Sequence, residues 1–267
     1  NLFTRSKPDA SPEASPDPLP GGRPRPERVC YVIGDIHGCA DRLEDILTLI
    51  DQDIGAHKVS EPALAFVGNY IGHGPSSLIV LDRMQELCEL FPKNVVCLMG
   101  SQERLLLDVF TDPDRRAGRW LSSGGDTILA EVLATDRSGM DPPNLEDMRG
   151  LASYLRGQLG ESALNWLSDL PLSWSSGNLW VVHAGADPFR PMAEQSPRIL
   201  LWGHPEFHSA QRSDDVWIAH GHSAVGRAGL VDRRITVDTE AHRTGVLSAV
   251  AVTPDGPIRV LSTQSSA

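Results

Sequence analysis

The chain has 267 residues, 40% hydrophobic and 22% charged, enough for one large domain or two small ones with a sizeable core. Its net charge of −11 argues against nucleic acid or an anionic membrane surface as the main partner. No stretch approaches the ~18 consecutive apolar residues of a membrane span, and the four cysteines form no Cys-x-x-Cys pair, which reads as reduced, mostly buried thiols in a cytoplasmic protein.

Residues 1–28 carry seven prolines and almost nothing apolar, which predicts a disordered, partly extended tail ahead of a folded domain over 29–267. From there strands and helices alternate: a strand at 29–34, a helix at 40–52, a strand at 63–68, a helix at 76–91, a strand at 94–99 and a helix at 102–111. Alternation of this kind implies βαβ units and a largely parallel sheet. Three of the strands end in glycine, at Gly34, Gly68 and Gly100, and open α/β sheets bind ligands at such carboxyl ends. Residues 112–160 read as a helical insertion with a loose loop at 136–144, followed by a helix at 161–169. Short β-like runs at 179–183, 215–220, 234–238, 246–252 and 258–261 then predict a second sheet packed on the first.

The first strand ends in Gly34-Asp35-Ile36-His37-Gly38. A carboxylate and an imidazole two residues apart at a strand end can reach one point, as a divalent metal requires. Equally, this is a βα turn in which Asp35 caps the next helix and His37 is solvated. Similar glycine-bounded stretches follow at 68–74 (Gly-Asn-Tyr-Ile-Gly-His-Gly), 100–103 (Gly-Ser-Gln-Glu), 181–185 (Val-Val-His-Ala-Gly) and 220–223 (His-Gly-His-Ser).

In this order the five stretches resemble the motif series of the calcineurin-like metallophosphoesterases, most closely their bacterial serine/threonine protein phosphatase branch. Segments 120–125, 200–202 and 237–239 add to the likeness, which spans about 29–262. The resemblance implies an α/β sandwich of two packed mixed β-sheets flanked by helices, with two divalent metals such as Mn²⁺ at the strand ends. It implies Asp35 and His37 as ligands of one metal and His183 and His222 as ligands of the other.

The departures from the family pattern fall on its chemistry. Asn69 stands where the family has the aspartate that bridges both metals, and a neutral amide oxygen cannot replace a bridging carboxylate. Two dications about 3.5 Å apart repel by on the order of 20 kcal/mol at an effective dielectric of about 20, so the bridge matters. Ser101 replaces an asparagine ligand, Gln102 the histidine proton donor, and Gly72 the aspartate that orients that histidine. His73 and His204 occupy the places of two phosphate-clamping arginines, and neutral imidazoles lack the bidentate fork. Glu240 is an added carboxylate, expected to face solvent.

The pattern predicts a phosphatase-like domain with a degraded dinuclear site, holding one ion or none, inactive or very weak, and acting by binding a phosphorylated protein or small phosphoester. The alternative is an active metal-dependent phosphoesterase, acting on phosphoproteins or dinucleoside polyphosphates through a single or rebuilt metal site.

Overall fold

The computed structural model describes residues 22–264. The chain runs β1 (Cys30–Ile33), α1 (Ala40–His57), β2 (Ala63–Phe66), α2 (Ser77–Leu90), β3 (Val95–Cys97) and α3 (Ser101–Thr111), as the alternation predicts. Three helices follow, α4 (Pro113–Trp120), α5 (Asp126–Thr135) and α6 (Met148–Asp169). The second half supplies β4 (Ser173–Ser176), β5 (Leu179–Val182), α7 (Pro197–Trp202), β6 (Trp217–His220), β7 (Gly229–Val231), β8 (Arg234–Thr236), α8 (Ala241–Thr244), β9 (Ser248–Val252) and β10 (Arg259–Ser262).

Strand β1 shows how the layers form. Its side chains alternate: Tyr31 and Ile33 join the core beneath the helices, with Leu43, Ile46, Leu81 and Leu106, while Cys30 and Val32 join Val67, Val181, Trp217 and Val237 between the sheets. An apolar run buried on both faces is what a central strand of a covered sheet needs. The first sheet has the order β10-β9-β1-β2-β3 and the second β4-β5-β6-β8-β7. Both are mixed: β1 is parallel to β2 and antiparallel to β9, and β5 is parallel to β6 and antiparallel to β4. A smaller cluster of Val182, Leu200, Phe207 and Ile218 covers the outer face of the second sheet beneath α7.

Several expectations change. The second half does not build only the second sheet; β9 and β10 return to the first, β9 pairing with β1 and β10 with β9. Helix α1 runs on to His57, and β4 and β7 are additional short edge strands. Residues 113–169 are mostly helical, and Gly160 (φ 77°) breaks α6 just before the helix expected at 161–169. Of the predicted tail, residues 1–21 lie outside the described residues. Residues 22–28 are docked: Pro24 and Pro26 are buried, and the Glu27 N–H donates to Ser176 Oγ at 2.9 Å. Among the described residues no helix is long and apolar enough to cross a membrane.

Candidate functional site

The loops after β1, β2, β3, β5, β6 and β8 meet at one end of the two sheets. Of the ten non-glycine residues with positive φ among those described, His37, Asn69, His73, His222 and Glu240 lie in these loops. Each such residue costs of order 1 kcal/mol or more and persists because its surroundings impose it. The packing that imposes it is close: a Cβ on Gly74 would lie 2.1 Å from His37 O, and one on Gly221 would lie 1.9 Å from Asp35 Oδ1.

Glu103, to which the sequence reading gave no role, organises two of these loops. Its buried carboxylate accepts from the N–H groups of Asn69 (2.8 Å), Tyr70 (2.8 Å), Ile71 (3.3 Å) and Gly100 (2.9 Å). Burial pushes its carboxyl up to about 7, against the pull of these four donors. The signal in the sequence was a glutamate three residues after the glycine that precedes α3, the spacing of a capping box.

The loops place Asp35, His37, Asn69, Ser101 and His183 around one buried centre, with His222 exposed at its rim. Asp35 is 1% exposed; its Oδ1 accepts from the His222 N–H at 3.2 Å and its Oδ2 from Asn69 Nδ2 at 2.8 Å. Asp35 does not cap α1, whose preceding residue is Cys39. His37 and His183 are oriented alike, each with Nδ1 against a backbone carbonyl, Ile71 O at 3.3 Å and Val67 O at 2.9 Å. That leaves both Nε2 lone pairs facing the centre, the arrangement of metal-binding histidines. His183 Nε2 lies 3.4 Å from Ser101 Oγ, and the His222 ring packs 5.0 Å from that of His183.

Asn69 decides what this centre can hold. Its Oδ1 accepts from the backbone N–H of Gln102 at 2.9 Å and from Ser101 Oγ at 3.3 Å. A backbone N–H can only donate, so the amide orientation is fixed and Nδ2 points inward, at Asp35 Oδ2 and 3.5 Å from His37 Nε2. An N–H donor thus stands where the lone pairs of Asp35 and His37 converge. Among the described residues no group of three or more His, Cys, Asp or Glu side chains is disposed to hold an ion. The centre thus presents one carboxylate, Asp35, and the imidazoles of His37, His183 and His222, with the Asn69 amide N–H among them in place of a second carboxylate.

Burial dominates the titration of the centre. It holds His37 down to about 3, reinforced by His242 and His73, and holds His183 well below the ordinary imidazole value. Asp35 is pushed well above the usual carboxylate range, by burial first and then by the charge of Asp238. Asp238 and His242, to which the sequence assigns no role, stand beside Asp35 and His37. The rings of His37, His73 and His242 lie 4.8–5.0 Å apart in pairs.

The remaining predicted positions are accounted for in turn. Gly72 and Gln102 are still side by side, since a Cβ on Gly72 would lie 3.0 Å from Gln102 Oε1. Gln102 Nε2 donates to Ser123 O at 2.8 Å, while its buried Oε1 has no partner among the described residues. Gly72 has φ 84°, so an aspartate there would be strained. His73 packs on Gly124, and burial holds its imidazole below the ordinary value. His204 is not beside it; it lines a groove of about 570 Å³ with Arg198, Trp202, His208 and His222. Glu240 is partly exposed, and its carboxylate pairs with Arg243 at 2.6 Å.

Three comparisons with known proteins bear on this arrangement. The family model described as calcineurin-like phosphoesterase matches residues 29–242. The chain is 26% identical over 240 residues to the asymmetrical bis(5'-nucleosyl)-tetraphosphatase PrpE of Bacillus mycoides, covering 82% of this chain and 88% of the relative. It is 31% identical over 158 residues to the symmetrical bis(5'-nucleosyl)-tetraphosphatase of Legionella pneumophila, covering 59% and 45%. Among solved structures, one provisionally assigned as a diadenosine tetraphosphatase superposes with TM-score 0.58 at 19% identity over 90% of this chain and 95% of the other. A Saccharomyces cerevisiae serine/threonine phosphatase similar to human PP5 gives 0.57 at 16% identity over 91% and 81%. At these identities the two structures speak for the fold alone.

Proposed function

Because the chain belongs to the calcineurin-like phosphoesterase family, we propose that it is a pseudophosphatase: it keeps the ligand-presenting loops, hydrolyses phosphoesters weakly or not at all, and acts by binding a phosphorylated ligand. The observation that carries this reading is the Asn69 amide, which donates at 2.8 Å to the carboxylate that would anchor the first metal. A donor there satisfies Asp35 without a cation, as a bridging carboxylate would not. Gln102 and Gly72 supply no proton donor and no group to orient one, and loss of general acid–base help alone costs about 10²–10⁴-fold in rate. The groove beside His222, with Arg198 and Trp202 on its wall, offers a phosphorylated ligand a cation and an aromatic face.

A second reading, an active phosphoesterase, is favoured by the retained Asp35, His37, His183 and His222 and by relatives named as bis(5'-nucleosyl)-tetraphosphatases. The two readings separate on ion count and turnover. The full chain is saturated with Mn²⁺ and dialysed, bound ions are counted, and diadenosine tetraphosphate and a phosphopeptide are then offered. The pseudophosphatase reading expects less than one ion per chain and turnover no faster with Mn²⁺ than with EDTA. Two retained ions, or manganese-dependent cleavage, would overturn it.

A further inference from the structure

Outside the metal-like centre, two cysteines stand close together. Cys88, in the last turn of α2, and Cys97, at the end of β3, bring their Sγ atoms to 3.4 Å across nine positions of sequence. Both line one surface cavity of about 240 Å³, together with Trp166 and Pro171. Cys97 is buried and Cys88 half-buried, so Cys88 is the more accessible of the pair. The other two thiols, Cys30 and Cys39, make their contacts with backbone carbonyls.

We infer that Cys88 and Cys97 form a reversible disulfide, closed by a low-molecular-weight disulfide such as oxidised glutathione. The sulfurs need to approach by little more than 1 Å to reach the roughly 2.05 Å of an S–S bond. The Cys88 thiolate attacks one sulfur of oxidised glutathione and expels one glutathione thiolate. The Cys97 thiolate then attacks Cys88 Sγ in the mixed disulfide and expels the second. The two cysteine protons leave on the two glutathione thiols, so two cysteine thiols are oxidised and one glutathione disulfide is reduced.

The environment assigns these roles. The hydrogen bond with Cys97 holds the Cys88 thiol below its ordinary value, while burial pushes the Cys97 thiol well above it. Cys88 is therefore the attacking sulfur and Cys97 the resolving one. The bond would tie together two elements that lead to the centre: at the other end of α2 the Gly72 N–H donates at 3.1 Å to Ser77 Oγ, and β3 runs from Cys97 into the loop before Gln102.

The test uses the native full chain, incubated with millimolar oxidised glutathione, quenched by alkylation in denaturant and digested with trypsin. The expected product is peptide 84–93 disulfide-linked to peptide 94–104, with Cys30 and Cys39 alkylated, and dithiothreitol releases the link. Cys97→Ser should stop the reaction at a glutathione adduct on Cys88. The proposal fails if native protein keeps Cys88 and Cys97 free for alkylation, if Cys88 retains glutathione although Cys97 is present, or if the linked peptides involve Cys30 or Cys39.

Discussion

Asn69→Asp tests whether the amide stands in for a cation. The variant places a carboxylate oxygen where Nδ2 now sits, 2.8 Å from Asp35 Oδ2. Two unit charges at that distance repel by about 6 kcal/mol at an effective dielectric of about 20. Taking up a proton instead costs an aspartate of pKa about 3.9 roughly 5 kcal/mol at pH 7.5, which caps the penalty. The bonds from Gln102 N and Ser101 Oγ to the other oxygen survive and strengthen slightly, leaving a net loss of about 3–5 kcal/mol. For a domain of this size that lowers the thermal midpoint by on the order of 10 °C in EDTA. An ion between the two carboxylates reverses the sign, and Mn²⁺ at a hundred times its dissociation constant returns about 2.7 kcal/mol. Thermal unfolding of parent and variant, each in EDTA and in Mn²⁺, reads all of this. The parent should be indifferent to Mn²⁺ and the variant strongly dependent on it. A variant as stable as the parent in EDTA, or a parent that gains several degrees from Mn²⁺, would refute the reasoning.

Three further outcomes are expected. Glu103→Gln leaves one oxygen for four backbone N–H donors and turns an amide NH₂ toward the rest; two buried N–H groups without partners cost about 2–6 kcal/mol, and a loss under 1 kcal/mol in urea unfolding would contradict the assigned role. Asp53 is buried in α1, accepting from Arg259 Nε at 2.9 Å and Tyr31 OH at 2.6 Å, and the Arg259 hydrogen bonds hold its carboxyl below the usual range. A depressed carboxyl contributes stability that is complete above the unfolded pKa of about 4 and is lost as pH falls through the lower folded value. The parent should therefore lose stability more steeply below pH 4 than Asp53→Asn does, and parallel curves would exclude the pair as a source of acid sensitivity. Gly221→Ala puts a methyl group on Asp35 Oδ1 and Val67, at a cost of about 1–3 kcal/mol in overpacking; an unchanged urea midpoint would mean that the loop yields freely.

Local pattern made much of this molecule legible. Apolar runs ending in glycine located β1, β2 and β3, and the glycine-bounded stretches named most of the residues that meet at the centre. What escaped depends on partners distant in sequence. Nothing in Ser248–Val252 says which sheet it joins; its place beside β1 is set by the register Val32↔Val250, 218 positions apart. The last turns of α1 read as polar and terminal because the ion pair that buries Asp53 comes from Arg259, 206 positions on. Strand β4, Ser-Trp-Ser-Ser, is too polar for the period-2 signal and exists as an edge paired to β5. The role of Glu103 is set by the backbone N–H groups of Asn69, Tyr70 and Ile71, 32–34 positions back, which no side-chain motif records.

The position of β1 has a consequence for synthesis. One of its edges is paired by β2, which leaves the ribosome soon after it, but the other waits for β9, near the end of the chain. Until then a strand of four fully buried residues presents an open edge, the kind of template on which chains associate wrongly. Polypeptides that stop before residue 248 should therefore aggregate rather than yield a smaller soluble domain, and the nascent chain should need a chaperone until its last strands emerge.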